Sequence, residues 1–127
     1  MIKINSQNLI SIVVAFNNYI NNQDIIGLSS LMTENHTFID RDEESHGPKS
    51  YMIKGWKDFF KMFPEYRNTF EKIEVIDNIV SVLGFAYWSG EMQYDPVIWT
   101  AIIEDNLISE WRVYEDTPEN RNKFNLS

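Results

Sequence analysis

The sequence predicts one α+β domain in which three N-terminal helices wrap a curved antiparallel sheet. Three observations carry this. The first half of the chain repeats its apolar residues at helical spacing, and the second half runs as long strand segments joined by tight turns. A length of 127 residues, 43% hydrophobic and 14% aromatic, suits a single core-forming domain spanning 1–127. Helices followed by a meander of strands give antiparallel α+β architecture, and a sheet so long and aromatic must curl over something.

Leu9, Val13, Phe16 and Ile20 form a stripe at i, i+4, i+7 and i+11, with Asn5 or Ser6 able to cap its start. Asp24 caps a second, short helix carrying Ile25, Leu28, Leu31 and Met32, which Thr33-Glu34-Asn35 ends. His36 to Asp40 reads as a short strand and Arg41 to Pro48 as a loop. Lys49 to Phe63 is the strongest helix: Met52, Trp56, Phe59, Phe60 and Phe63 share one face, lysines share the other, and Pro64 stops it. Four strands follow, Tyr66 to Ile76, Ile79 to Trp88, Val97 to Ile103 and Leu107 to Glu115. Their connections are Asp77-Asn78, the longer loop from Ser89 to Pro96, and Asp105-Asn106. Thr117 and Pro118 open a short C-terminal helix.

Composition excludes several classes. The net charge is −8, and the densest lysine group (Lys49, Lys54, Lys57, Lys61) recurs at helical spacing, as on a solvated helix face, so no nucleic-acid partner is expected. There is no cysteine, hence no disulfide or thiolate chemistry, which fits a cytoplasmic setting. Lys3 before the apolar stretch Leu9 to Phe16 is a poor signal peptide, because polar residues separate charge from apolar run and no small-residue cleavage site follows. No run is long enough to span a membrane, so no membrane partner is expected. Asn35-His36-Thr37 and Asn125-Leu126-Ser127 match the glycosylation pattern, which has no meaning without secretion.

The order helix, helix, short strand, helix, meander resembles nuclear-transport-factor-2-like and SnoaL-like proteins. The stretch Asp24-Ile25-Ile26-Gly27-Leu28 through Phe38-Ile39-Asp40 looks like their second helix and first strand. Gly55-Trp56-Lys57-Asp58-Phe59-Phe60 with Phe63-Pro64-Glu65-Tyr66-Arg67 looks like the third helix and its exit, and Ile108-Ser109-Glu110-Trp111-Arg112-Val113-Tyr114-Glu115-Asp116 looks like the last strand. The resemblance covers nearly the whole chain and implies a cone-shaped, cystatin-like roll with one aromatic-lined pocket. Activity does not follow from it, because the family holds isomerases, cyclases, dehydratases, epoxide hydrolases and binders without catalysis.

Matched to the ketosteroid isomerases, Asp40 falls on the general base, Phe16 on the oxyanion-hole tyrosine, and Trp99 near the protonated aspartate. Each missing donor is typically worth about 3 kcal/mol, which argues against steroid isomerisation by that mechanism. The arginine-linked aspartate pair of the epoxide hydrolases is not recognisable. The family register implies that Trp99, Ala101, Trp111, Val113 and Glu115 face the pocket, while Glu110, Arg112 and Tyr114 face outward.

Asp40 is the catalytic candidate. At the inner end of a strand under aromatic helices, desolvation would raise its pKa, as a general base needs; alternatively it caps the loop or pairs with Arg41. His46 is placed at the pocket mouth. Phe16, Tyr19, Trp56, Trp99, Trp111 and Glu115 complete the candidate ligand-binding set. Phe59, Phe60 and Phe63 read as core, whereas tryptophan and tyrosine carry polar handles and are seldom mere filler. His36 and Asp40 share a strand face, but no third metal ligand has a fixed spacing, so no metal site is expected. A Ser45-His46-Asp42 triad lacks a nucleophile elbow. There is no phosphate-binding glycine loop and no cofactor motif. Ile98, Thr100, Ile102 and Ile108 mixed with Glu110, Arg112 and Tyr114 make an outer sheet face too apolar to stand free, suited to a homodimer through the convex side, where relatives of this fold commonly associate.

Two functions remain open: an isomerase-, cyclase- or hydrolase-type enzyme acting on an apolar or polyketide-like small molecule through Asp40, and a ligand-binding or adaptor protein without catalysis. A second polar group meeting Asp40 inside the pocket would favour the enzyme.

Overall fold

The computed structural model describes residues 5–89 and 94–127. Lys3 and residues 90–93 of the Ser89 to Pro96 loop lie outside the described residues. The elements run α1 (Ser6–Asn21), α2 (Ile25–Ser30), β1 (Met32–Ile39), β2 (Ser45–His46), α3 (Lys49–Met62), β3 (Arg67–Ile76), β4 (Ile79–Tyr87), β5 (Tyr94–Glu104), β6 (Leu107–Glu115) and α4 (Pro118–Lys123). Local chemistry explains the helix starts: Asn5 accepts from the amides of Gln7 and Asn8, Asp24 from Gly27, and Thr117 from Asn120. The β3–β4 and β5–β6 turns place Asp77, Asp105 and Asn106 at positive φ, which short polar side chains tolerate.

The strand order is β2-β1-β6-β5-β4-β3. Two expectations are corrected here. The sheet is mixed, since β1 runs parallel to β6 while the other neighbours are antiparallel. The first strand also starts at Met32, not His36. Leu31 and Met32 fit a helical stripe in sequence, but the Leu31 carbonyl accepts from the Ile108 amide at 2.7 Å and Met32 pairs with Ile108, so sheet pairing overrides the helical period.

A bulge sets which residues face inward. Ile102 pairs with Glu110, but Ile103 pairs with Ile108, leaving Ser109 over. Ile108 therefore turns into the core beside Ile103, fully buried, instead of facing outward. The convex face differs from expectation in a second way. Leu126 packs on Leu83 and Ile98 there, Phe124 packs on Tyr114 at 5.0 Å, and Arg121 grips Asp116 at 2.5 and 2.7 Å. Ile98, expected on an open face, is thus buried within one chain, and Thr100 is buried too. Among the described residues no helix is long and apolar enough to cross a membrane.

Candidate functional site

The concave face has two ends. At one, Leu9, Ile12, Val13, Phe16 and Ile20 of α1 pack into the core with Val80, Ala101, Ile103 and Ile108 of the sheet. At the other, α3 stands over Ala86, Val97, Trp99, Trp111 and Val113 and leaves a cavity of about 460 Å³. Rings brace its walls. Trp99 and Trp111 stack at 6.4 Å, Trp56 meets Phe59 edge-on at 5.7 Å, and Phe59 touches Tyr66 at 4.8 Å and Trp88 at 5.7 Å. Phe59, read as core, lines this cavity, whereas Phe60 is buried.

The β1–β2 hairpin carries the charged mouth. Asp40, Arg41, Asp42 and His46 line it. The Asp40 Oδ1 accepts from the amides of Asp42 (2.9 Å) and Glu44 (3.0 Å), and Oδ2 lies 2.9 Å from Nε2 of His46. The His46 bond, more than the backbone bonds, holds the Asp40 carboxyl below its ordinary range. The expected upward shift is therefore overturned: the carboxylate sits at a partly exposed turn with three donors, and hydrogen bonding to the charged form outweighs desolvation. An ionised carboxylate only accepts, so Nε2 of His46 carries the proton and Nδ1 is the basic nitrogen. The imidazole lies parallel to Tyr51 at 6.5 Å and tilted against Phe38 at 5.9 Å. Gly47 is required next to it, because a Cβ there would lie 2.8 Å from the His36 carbonyl oxygen.

A second polar group stands across the cavity. Tyr66 and Asn68 both line it and are buried. Burial pushes the Tyr66 phenol well up, opposed by the neighbouring Asn68 side chain, so it stays protonated. Asp95 pairs with Arg41 and accepts from Nε1 of Trp88 at 3.3 Å. Sequence reading left Tyr66 and Trp88 out of the candidate set, offered Arg41 only as a partner for Asp40, and passed over Asn68 and Asp95, although Tyr66 and Asn68 are two apart, close after the helix-stopping Pro64, and so share a face.

Of the residues singled out in sequence, Asp40, His46, Trp56, Trp99 and Trp111 come together around the cavity, and Phe16, Tyr19 and Glu115 do not. Phe16 is fully buried against Trp111 at 5.0 Å. Tyr19 lies over Gly27, where any side chain would run into its ring. Glu115 opens onto a separate polar groove with Arg112, Asn120 and Lys123. His36 is buried, with Nδ1 2.7 Å from the Ile108 carbonyl. A metal would have a different set from the one weighed in sequence: Asp40, Glu44 and His46 bring ligand atoms within 4.8 Å of one another. The Asp40–His46 bond already satisfies two of those groups.

Comparison with protein-family models and with curated proteins finds no match. Solved structures do match. An NTF2-like protein from Cytophaga hutchinsonii superposes with a TM-score of 0.73 at 15% identity, covering 91% of this chain and 93% of that one. A protein assigned as a polyketide cyclase from Sinorhizobium meliloti gives 0.74 at 14%, covering 87% and 99%. An epoxide hydrolase of the LEH-like type from M. tuberculosis gives 0.74 at 15%, covering 87% and 84%. The chain has the NTF2-like fold. At such identities the likeness establishes the fold and leaves the chemistry to the site.

Proposed function

We propose that the protein binds an apolar, aromatic small molecule in the tryptophan-lined cavity and moves a proton on it through His46, oriented by Asp40. The observation that carries this reading is the 2.9 Å contact between Nε2 of His46 and Asp40 at the cavity mouth. Asp40 tethers the imidazole through Nε2 and leaves Nδ1 as the base, so the carboxylate acts through the histidine. No metal or cofactor enters this reading, and a cytoplasmic setting belongs to it. Any homodimer through the convex face would use positions clear of the C-terminal segment, such as Ile102 and Glu110.

A second reading, binding without catalysis, is favoured by the two positions where isomerases keep oxyanion donors. Phe16 and Trp99 are buried there, and neither carries a hydroxyl or carboxyl donor. The two readings separate with 2-tetralone, an enolisable aromatic ketone, in D2O. The enzyme reading expects exchange of its α-protons with solvent, slowed about 10²- to 10⁴-fold by His46→Gln and substantially by Asp40→Asn. Binding of 2-tetralone with no accelerated exchange would leave the binder. Exchange unaffected by His46→Gln would remove the dyad from the reaction.

A further inference from the structure

Asn68 is 2% exposed, and its Oδ1 has no hydrogen-bond partner among the described residues. A buried polar atom left unpaired opposes folding, and such atoms call for an explanation. Its position is not slack. The Asn68 amide donates to Oδ1 of Asn21 at 2.7 Å, and its carbonyl accepts from Nδ2 of Asn21 at 2.9 Å and of Asn17 at 3.4 Å. Two asparagines of α1 therefore pin the backbone of a residue whose side chain lines the cavity. Beside it, Tyr66 is held edge-on by Phe59 at 4.8 Å and Trp88 at 5.0 Å. The phenol supplies a donor, and the amide an unpaired acceptor that is closed to solvent and that a ligand reaches only as the amide turns toward the cavity. Turned the other way, the amide would accept from the phenol and leave its own N–H unpaired.

A hydroxyl group, which donates and accepts, complements this pair in either arrangement, whereas an ether or ketone oxygen only accepts. Charge narrows the class further. Asp40 and Asp42 line the mouth, and Arg41 is tied to Asp95, so no free cation awaits an anionic ligand there among the described residues. Besides His46 and Tyr51, which stack on each other, the remaining walls are tryptophan, phenylalanine, Met52, glycine and aliphatic side chains, and the volume falls in the range of about 300–1,000 Å³ usual for small-molecule sites.

We propose that Tyr66 and Asn68 form the hydroxyl-recognition point of the cavity, and that its ligand is a neutral, hydroxylated aromatic compound packed against Trp99 and Trp111. This deepens the reading of the cavity as an aromatic binding site and rests on it. The test is calorimetric titration near neutral pH with 2-naphthol, 2-methoxynaphthalene and 2-naphthoate. Wild type should bind 2-naphthol about three- to tenfold more tightly than the methyl ether, the value of one net hydrogen bond, and should bind the carboxylate least. Tyr66→Phe keeps the shape and should bring the naphthol-to-ether ratio close to one, as should Asn68→Ala if it folds. Equal affinities in wild type, a ratio unchanged in Tyr66→Phe, or preference for the carboxylate would overturn the proposal while the aromatic cavity stood. Failure of all three compounds to bind would overturn both.

Discussion

The two ends of the concave face are built from the same sheet and end differently. Where α1 crosses, branched aliphatic side chains and Ala101 interdigitate with Val13, Phe16 and Ile20, and the space is filled. Where α3 crosses, Trp56, Phe59, Trp88, Trp99 and Trp111 lean on one another in edge-on and stacked contacts. Rigid rings braced in this way hold the walls apart, and the cavity stays open. The polar inventory divides along the same line. Beside α1 the buried polar side chains are His36 and Asn17, whereas the open end gathers Asp40, Arg41, His46, Tyr66 and Asn68. Aliphatic packing makes stability, and aromatic bracing makes room for a ligand.

The largest expected effect comes from putting a charge at each end in turn. Ile108→Lys would bury an unpaired ammonium in the filled end and should cost on the order of 4 kcal/mol or more, enough to unfold a marginal domain in urea titration. Val113→Lys, on the cavity wall and partly exposed, should cost about 1 kcal/mol, because its ammonium can reach water through the open mouth. Equal costs would erase the distinction between the ends.

A smaller effect tests His36, the buried histidine of the filled end. Burial, with Lys49 nearby, lowers the pKa of His36, against the Ile108 bond that raises it. The unfolded chain then takes up a proton that the native state refuses. Stability present above the ordinary histidine value of 6.5 is lost as pH falls from there through the lower folded value. Melting curves between pH 7 and 5 should show that loss in wild type, and His36→Asn should flatten it over the same window. An unchanged slope in His36→Asn would assign the acid sensitivity elsewhere.

Much of this architecture is legible in the sequence where it depends on local periodicity. The stripe of α1, the two faces of α3, the Asx turns and the Thr117-Pro118 helix start follow from spacing and caps. What was not legible depends on partners distant in the chain. Leu31 and Met32 satisfy a helix and a strand equally until Ile108 is known to lie beside them. The Ser109 bulge has no glycine to mark it, and it moves Ile108 from the outer face to the core. The pairing of Asp40 with His46 requires the hairpin turn to close, and Asp40 alone suggests the wrong direction for its own pKa. The covering of Ile98 by Leu126 joins segments that only the fold brings together.

The central claim is that the open end of the concave face is a binding site for aromatic molecules. The most direct measurement is a crystal structure of the protein grown with 6-bromo-2-naphthol, located by the anomalous signal of bromine. The expected result is a single strong bromine peak inside the cavity between α3 and the Trp99–Trp111 stack, with the hydroxyl within hydrogen-bonding distance of Tyr66 or Asn68. Bromine found only on the outer surface, or α3 packed down onto Trp99 with no space left between them, would contradict it.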